Sequence, residues 1–498
     1  MTDAVDRFAH TERALLGLGT ALGALGWDEQ VNMPSRGASA RGRANAALSE
    51  IYHSMLCDTE FGSTLDELSA VPDLDDLTRA RVREATRERD RAVRVSPELV
   101  RELAELESRA FESWQKARAA KDFSLFAADL ARMVELKRAE ADAVGFGDGE
   151  RYDALLDSFE PSATVATVEP LLSALRDELV PFARDVIARP RPDDSFLSGD
   201  YPVDRQSTLS AQLVTDIGFD LEAGRIDVAA HPFASGFAPG DVRLTTHFFA
   251  DNPLSIWSTL HEAGHGIYEQ GLSGPIEGTF CGRAASLTLH ESQSRLWENL
   301  VGRSMPYWQR NLPLLKEQFP APLTDVSVEQ FVRAINLVEP SLIRIYADEI
   351  TYHLHVLLRF ELELALMRGT LEVSDLPAIW NDRMEELVGI RPPDDGDGVL
   401  QDVHWSAGLF GYFPTYTMGT MLSAQLWEAA GRALGDLDAM VLAGETQPLL
   451  DWLRTHVHRR GSSVTPAQVI RDATGEDLHH HALMRYLRAK FGRLYLEA

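Results

Sequence analysis

The residues best suited to chemistry fall between positions 259 and 295. This stretch holds His261-Glu262-Ala263-Gly264-His265 and, further on, His290-Glu291-Ser292-Gln293. On an α-helix, residues four apart lie on one face. His261 and His265 therefore turn two imidazoles toward one ion. Glu262, about 100° round the helix, reaches a water beside that ion without serving as a ligand. A zinc hydrolase requires two neutral nitrogen donors, an adjacent carboxylate base and a third ligand from elsewhere, with one position left open.

The helix that must position these groups is framed by Asn252-Pro253 at its start and Gly271 at its stop. Ile256, Trp257, Leu260, Gly264 and Ile267 form an apolar stripe at helical spacing beside the histidines. A second helix, predicted over 285–301 and ending at Gly302, brings Glu291 to the ion as third ligand. His290 competes for that role from about 100° away. Arg295, four residues on, offers Glu291 an ordinary helix-face ion pair instead.

At 498 residues the chain is long enough for several domains or one large helical unit, and its 45% apolar share is ordinary for a globular core. Lys+Arg number 48 against 76 Asp+Glu, a net charge of −28. That balance repels nucleic acid and anionic membrane surfaces. Cys57 and Cys281 are the only cysteines, which argues against a disulfide framework and fits a cytoplasmic protein. No run approaches the roughly 18 apolar residues of a membrane span. Residues 15–27 are apolar but follow mixed charges (Asp6, Arg7, Glu12, Arg13), so they read as an amphipathic helix rather than a signal segment.

Along the chain, residues 3–57 read as two helices broken near Asn32-Met33-Pro34-Ser35. Residues 74–144 form charged helices with a start at Ser96-Pro97-Glu98, and 161–188 is helical again. The Pro/Asp-rich run 189–201 is the best candidate boundary, followed by a helix over 204–217. Short strands are predicted at 225–228 and 241–248, separated by a turn-forming run over 234–240. Such a sheet either pairs an extended peptide along its edge or only packs the metal-site helix. Residues 326–370 read as two long helices, 405–416 as an aromatic, Gly-rich loop, and helices resume from 417. The fold class is mainly α with one small β-sheet beside the metal-site helix. Its regions are a helical lobe over 1–200, a catalytic core over 201–430 and C-terminal helices over 431–498.

Six ordered motifs carry a resemblance to a known family. They are His231-Pro232-Phe233; Asp241, Arg243 and Thr245 in a DxRxT pattern; the HExxH of residues 261–265; His290-Glu291-Ser292-Gln293; the IRxxAD of residues 343–348; and the GxxQDxHW of residues 398–405. Trp27-Asp28 to Met33-Pro34 and the tail over 452–495 also match the ends of that family. The chain resembles the carboxypeptidase Taq family of metallocarboxypeptidases across nearly its whole length.

The resemblance implies a large, bundle-like helical peptidase with a deep groove, similar to angiotensin-converting enzyme and neurolysin. It also implies a homodimer, peptide substrates and broad release of single C-terminal residues, poor next to proline. It implies one Zn2+ per chain, with Co2+ as a substitute, held by His261, His265 and Glu291, and Glu262 as general base.

An exopeptidase must also recognise a free α-carboxylate, for which a planar guanidinium is suited. Arg344, on a predicted helix with Glu349, Tyr352 and His355, is the candidate clamp, unless it pairs with Asp348 four residues on. Arg243 is its rival for substrate binding, unless it stiffens its strand through Asp241. A donor to the developing oxyanion is sought among His231, His404, Tyr412 and Tyr416. An endopeptidase or oligopeptidase of the same metal class would need no carboxylate clamp, and a non-catalytic peptide-binding protein would have no use for Glu262.

Overall fold

The computed structural model describes residues 2–496. The chain opens with α1 (Thr2–Val31), α2 (Ala38–Leu56), α3 (Thr59–Ser69), α4 (Asp76–Arg94), α5 (Pro97–Ala120), α6 (Ser124–Val144), α7 (Arg151–Leu156), α8 (Val165–Ile187) and α9 (Val203–Asp216). Ser96 caps α5 as its sequence suggests: its hydroxyl accepts from the Leu99 N–H, and Pro97 takes the first helical position, where no N–H is needed. The break near residue 34 separates α1 from α2.

A small sheet follows, made of β1 (Gly224–Val228), β2 (Phe233–Ala238) and β3 (Asp241–Thr246). Its order is β1-β3-β2, with β1 parallel and β2 antiparallel to β3. The middle strand was legible; β2 was not, because Phe233-Ala234-Ser235-Gly236-Phe237-Ala238 carries small residues and a glycine where β-branched ones were expected. Its ladder to β3, closed by a turn at Pro239-Gly240, makes it a strand.

Next come α10 (Ser255–Gly271), which carries the HExxH residues, and α11 (Leu287–Arg295), which runs on as a π-helical stretch over Leu296–Val301. Asn252 does not cap α10: its Oδ1 accepts from the Leu254 N–H two residues on, and the helix begins at Ser255, two residues after the expected proline position, and ends at Gly271 as expected. Its apolar stripe is buried throughout. Trp257 packs against Trp308 and Phe331, with ring centroids 6.0 and 6.4 Å away. The hydroxyls of Thr246 and Thr259, 2.8 Å apart, tie the end of β3 to α10.

The remaining helices are α12 (Met305–Gln318), α13 (Pro320–Leu323), α14 (Val328–Ile335), α15 (Thr351–Arg368), α16 (Leu376–Val388), α17 (Phe413–Leu434), α18 (Leu437–Ala443), α19 (Gln447–His456), α20 (Pro466–Thr474) and α21 (His481–Phe491). Of the two long helices expected over 326–370 only α15 is long; α14 has eight residues, and the fifteen residues between them are not α-helical and include one 3-10 turn, Arg344–Tyr346. Pro340 disfavours helix at Glu339 and supplies no N–H. Asp348 then accepts from the N–H groups of Ile350 and Thr351 and starts α15.

The chain passes repeatedly between two compact units. One comprises residues 1–93, 193–335 and 423–478; the other comprises 94–192, 336–422 and 479–498. The first passage back, at 192/193, falls within the Pro/Asp-rich run over 189–201. The first unit holds the sheet, α10 and α11. Its core includes a cluster of Phe8, Leu15, Phe61, Leu65 and Phe280 around α1 and α3.

Candidate active site

The histidines of α10 and the glutamate of α11 converge. Donor atoms of His261, His265 and Glu291 all lie within 4.8 Å of one another. Glu291 Oε2 is 3.7 Å from His261 Nε2 and 3.4 Å from His265 Nε2. Two donors held about 2.1 Å from one ion in tetrahedral geometry are themselves about 3.4 Å apart, so the spacing fits a divalent ion. The approach of α11 to α10 depends on Gly264. A Cβ there would lie 2.6 Å from Gln293 O and from Ser294 Cα, backbone that cannot swing away.

Each donor is held from behind. His261 Nδ1 lies 2.9 Å from Glu298 Oε2, on the π-helical stretch. Glu298 is in turn gripped by Arg295 and Arg303. His265 Nδ1 faces His290 Nδ1 at 2.5 Å, and His290 Nε2 is 2.7 Å from Glu269 Oε1. Arg295 Nε donates to Glu291 Oε1 at 2.7 Å, while Oε2, which also accepts from the Ser294 hydroxyl at 3.1 Å, faces the histidines. The helix-face ion pair and the convergence on the histidines thus coexist. The nitrogens of His290 are taken up by His265 and Glu269.

The electrostatics favour a cation. Burial works to raise the Glu291 carboxyl, but Arg295 and the histidines outweigh it and hold it well below the usual carboxylate range. Burial drives His265 down to about 3, so at neutral pH it offers a neutral nitrogen. Burial also opposes charge on His261, yet Glu291 and Glu298 more than offset it and raise its pKa, a sign that positive charge is welcome at this spot. Glu262 is buried beside the cluster, and burial lifts its carboxyl to about 7.

The other predicted residues divide between the units. In the first unit, Arg243 donates from Nε and one terminal nitrogen to the two oxygens of Asp241, at 2.9 and 3.0 Å. Its guanidinium lies 4.5 Å from the Trp27 ring centroid and 4.9 Å from that of Phe237. The side chain thus stiffens the hairpin and joins it to α1. His231 is exposed, and its backbone carbonyl accepts from the Thr245 hydroxyl.

In the second unit, Arg344 sits on the 3-10 turn rather than on a helix, and it pairs with Asp402 rather than Asp348. Nε and one terminal nitrogen donate to Asp402 Oδ1 at 3.0 and 2.7 Å, and the other terminal nitrogen donates to the Tyr352 hydroxyl. Arg359, fully buried, donates to the second Asp402 oxygen at 2.6 Å. Two guanidiniums share one carboxylate. Tyr416 is not in a loop but in the first turn of α17, since Phe413-Pro414 starts that helix early. Its ring centroid lies 5.1 Å from the Arg344 guanidinium carbon, and its hydroxyl is 3.4 Å from His404 Nε2. Tyr412 packs on both His404 and Tyr416.

Sequence reasoning missed Glu269, Glu298, Asp402 and Arg359 as supports. Glu269 carried a signal, lying four residues beyond His265 on the same helix face. Among the described residues a second group, Glu178, His480 and His481, also clusters, but its carboxylate is shared with Arg488 and His481 is exposed.

A helical protein whose two adjoining helices bring two imidazoles and a carboxylate to one point, with a buried glutamate alongside, has the makings of a metallohydrolase. The comparisons narrow the class. The profile of the carboxypeptidase Taq (M32) metallopeptidase family matches residues 7–491, and the chain belongs to that family. It is 43% identical to thermostable carboxypeptidase 1 of Thermus thermophilus over 95% of this chain and 96% of that one. It is 36% identical to carboxypeptidase 1 of Bacillus subtilis over 96% and 95%. Its fold superposes on the crystal structure of an M32 carboxypeptidase from Deinococcus radiodurans with a TM-score of 0.96, at 37% identity, over 99% of each chain. The protein is a metal-dependent carboxypeptidase, a peptide hydrolase.

Proposed function

We propose that the chain releases single residues from peptide C-termini with broad specificity, using one zinc or cobalt ion held by His261, His265 and Glu291. The observation that carries this reading is the convergence of those three donors within 4.8 Å on two buried helices. When bound, the ion supplies Lewis acidity, polarising a carbonyl oxygen and acidifying water. Glu262 takes a proton from the attacking water and returns it to the leaving amine nitrogen. Burial raises the Glu262 carboxyl above its ordinary range, which favours a group that takes up a proton and gives it back.

Arg344 takes the free α-carboxylate of the substrate. Support comes from its pairing: Arg344 shares its carboxylate partner, Asp402, with Arg359, so its guanidinium is not matched by a carboxylate of its own and can take that of a substrate. Tyr416, His404 and Tyr412 supply the oxyanion donor among them; Tyr416 is favoured by its place beside the Arg344 guanidinium. Arg243 and Asp241 serve the hairpin rather than substrate. The family resemblance further supports a homodimer, and the two unpaired cysteines support a cytoplasmic setting.

The test is Glu262→Gln. This variant should retain the ion by elemental analysis and lose at least about 100-fold in rate, with timed digestion of one peptide read by mass spectrometry. Near-normal turnover by a metal-loaded Glu262→Gln variant would remove Glu262 as the base. Internal cleavage by the unmodified enzyme would remove the exopeptidase reading.

A further inference from the structure

We infer that Glu269 and His290 are positioning residues for the ion site, acting on His265 as a relay of two imidazoles that ends on a carboxylate. The inference rests on the reading of His261, His265 and Glu291 as the ligand set.

The proton positions follow from the contacts. His265 presents Nε2 to Glu291 Oε2 and Nδ1 to His290 Nδ1. A nitrogen that donates its lone pair to an ion cannot carry the proton, so in His265 the proton sits on Nδ1. Two protonated nitrogens cannot face each other at 2.5 Å, so His290 accepts on Nδ1. The neutral His290 ring then bears its own proton on Nε2, which donates to Glu269 Oε1 at 2.7 Å. Each link permits only one tautomer of the next. The carboxylate at the end makes His290 a better acceptor, and His290 in turn makes His265 a better donor.

The surroundings hold this chain in place. His290 lies between His265 and Tyr268, with ring centroids 4.5 and 5.4 Å away. Glu269 rests against β2 at Gly236, where any Cβ would collide with its carboxylate. The sheet thereby gains a use that neither of its two expected roles supplied: it seats the far end of the relay. His261 is supported differently, by direct contact with Glu298. The two imidazoles of one motif thus lean on different carboxylates, one at first hand and one through a second ring.

The test is a double-mutant cycle on zinc affinity in the purified full chain, measured by competition with a chelator of known affinity. Glu269→Ala should weaken zinc binding by about 10- to 100-fold while leaving the far-UV spectrum and melting of the zinc-free protein unchanged. In a His290→Ala background the same substitution should change affinity less than about 2-fold, since its route to His265 has been removed. Glu269→Gln keeps the size and an oxygen acceptor but not the charge, and should fall between the wild type and Glu269→Ala; it also serves if the alanine variant does not fold. An equal loss from Glu269→Ala in both backgrounds would mean simple charge attraction and overturn the relay, as would no loss in either. Glu291→Ala separates the two readings. If it leaves zinc affinity intact, the ligand set is wrong; if it abolishes binding while Glu269→Ala does nothing, the relay alone is wrong.

Discussion

Replacing Gly264 by alanine tests the helix crossing on which the site depends. In an unobstructed helix interior, Gly→Ala stabilises by about 1 kcal/mol. Here the new Cβ would meet Ser294 Cα and Gln293 O at 2.6 Å, whereas ordinary contact begins near 3.4 Å, so α11 must retreat by about 0.8 Å. Overpacking of this kind costs about 1–3 kcal/mol, and backbone against backbone belongs at the upper end. A net destabilisation of about 2 kcal/mol is expected, the opposite sign to the propensity effect.

The retreat also carries Glu291 away from His265. Ligand distances tolerate only about 0.2 Å, so zinc affinity should fall by at least the roughly 10- to 100-fold that loss of an outer support causes. The assay pairs melting of the zinc-free protein with chelator competition. Gly19→Ala on α1 is the control: Gly19 is exposed, with nothing within 4 Å of a Cβ, and the change should stabilise. If Gly264→Ala behaves like Gly19→Ala and keeps its zinc affinity, the close crossing of α10 and α11 is refuted.

Three further outcomes are expected. Glu291→Ala should lower metal content and activity together, and His290→Ala should lower metal content less; elemental analysis after dialysis decides, and the reverse order would exchange their roles. Arg344→Ala should cut kcat/KM on free-acid peptides by about 30- to several-thousand-fold and shrink the preference for free acids over C-terminal amides, while folding survives because Arg359 still pairs with Asp402. Arg243→Ala should leave that preference intact, and the opposite pattern would reverse the assignment. Burial works to raise the Asp402 carboxyl, but Arg359 and Arg344 outweigh it and hold it far below its ordinary value. Its contribution to stability is therefore fully present above the unfolded pKa of about 4 and is lost as pH falls below it. Asp402→Asn should be less stable by about 3–5 kcal/mol at pH 7 and show a shallower loss below pH 4 in melting experiments; an unchanged acid limb would contradict the pairing.

What was legible in the sequence was whatever depends on spacing along one helix. The stripe of Ile256, Trp257, Leu260, Gly264 and Ile267 announced the buried face of α10, and Ser96-Pro97 announced the start of α5, because both are set within a few residues. The segment over 336–350 reads as helix because apolar residues on either side preserve a helical rhythm that Pro340 and the Asp348 cap interrupt. Strand β2 was missed because its conformation comes from its partner β3, not from its own residues. Arg344 was recognised as a functional candidate, but its partner lies 58 positions away at Asp402, and no local pattern links them.

The glycines show most clearly why the site resisted a purely local reading. Judged by propensity, Gly264 only weakens α10, Gly271 only ends it, and Gly236 only weakens β2. Each is in fact a place where something polar or structural comes within reach of backbone. Gly264 admits the backbone of α11 and so sets the distance from the histidines to Glu291. Gly236 admits the carboxylate of Glu269. Gly271 admits the imidazole of His458, which reaches Gln293 on α11 at 2.9 Å. A side chain at Gly264 would stand where the backbone of α11 now stands, one at Gly236 where the carboxylate of Glu269 stands, and one at Gly271 where His458 stands. The cost in helix and strand propensity, about 1 kcal/mol per residue, is small beside the loss of metal affinity expected when a ligand or its support is displaced. The helix that carries the HExxH residues is therefore shaped as much by the side chains it lacks as by those it presents.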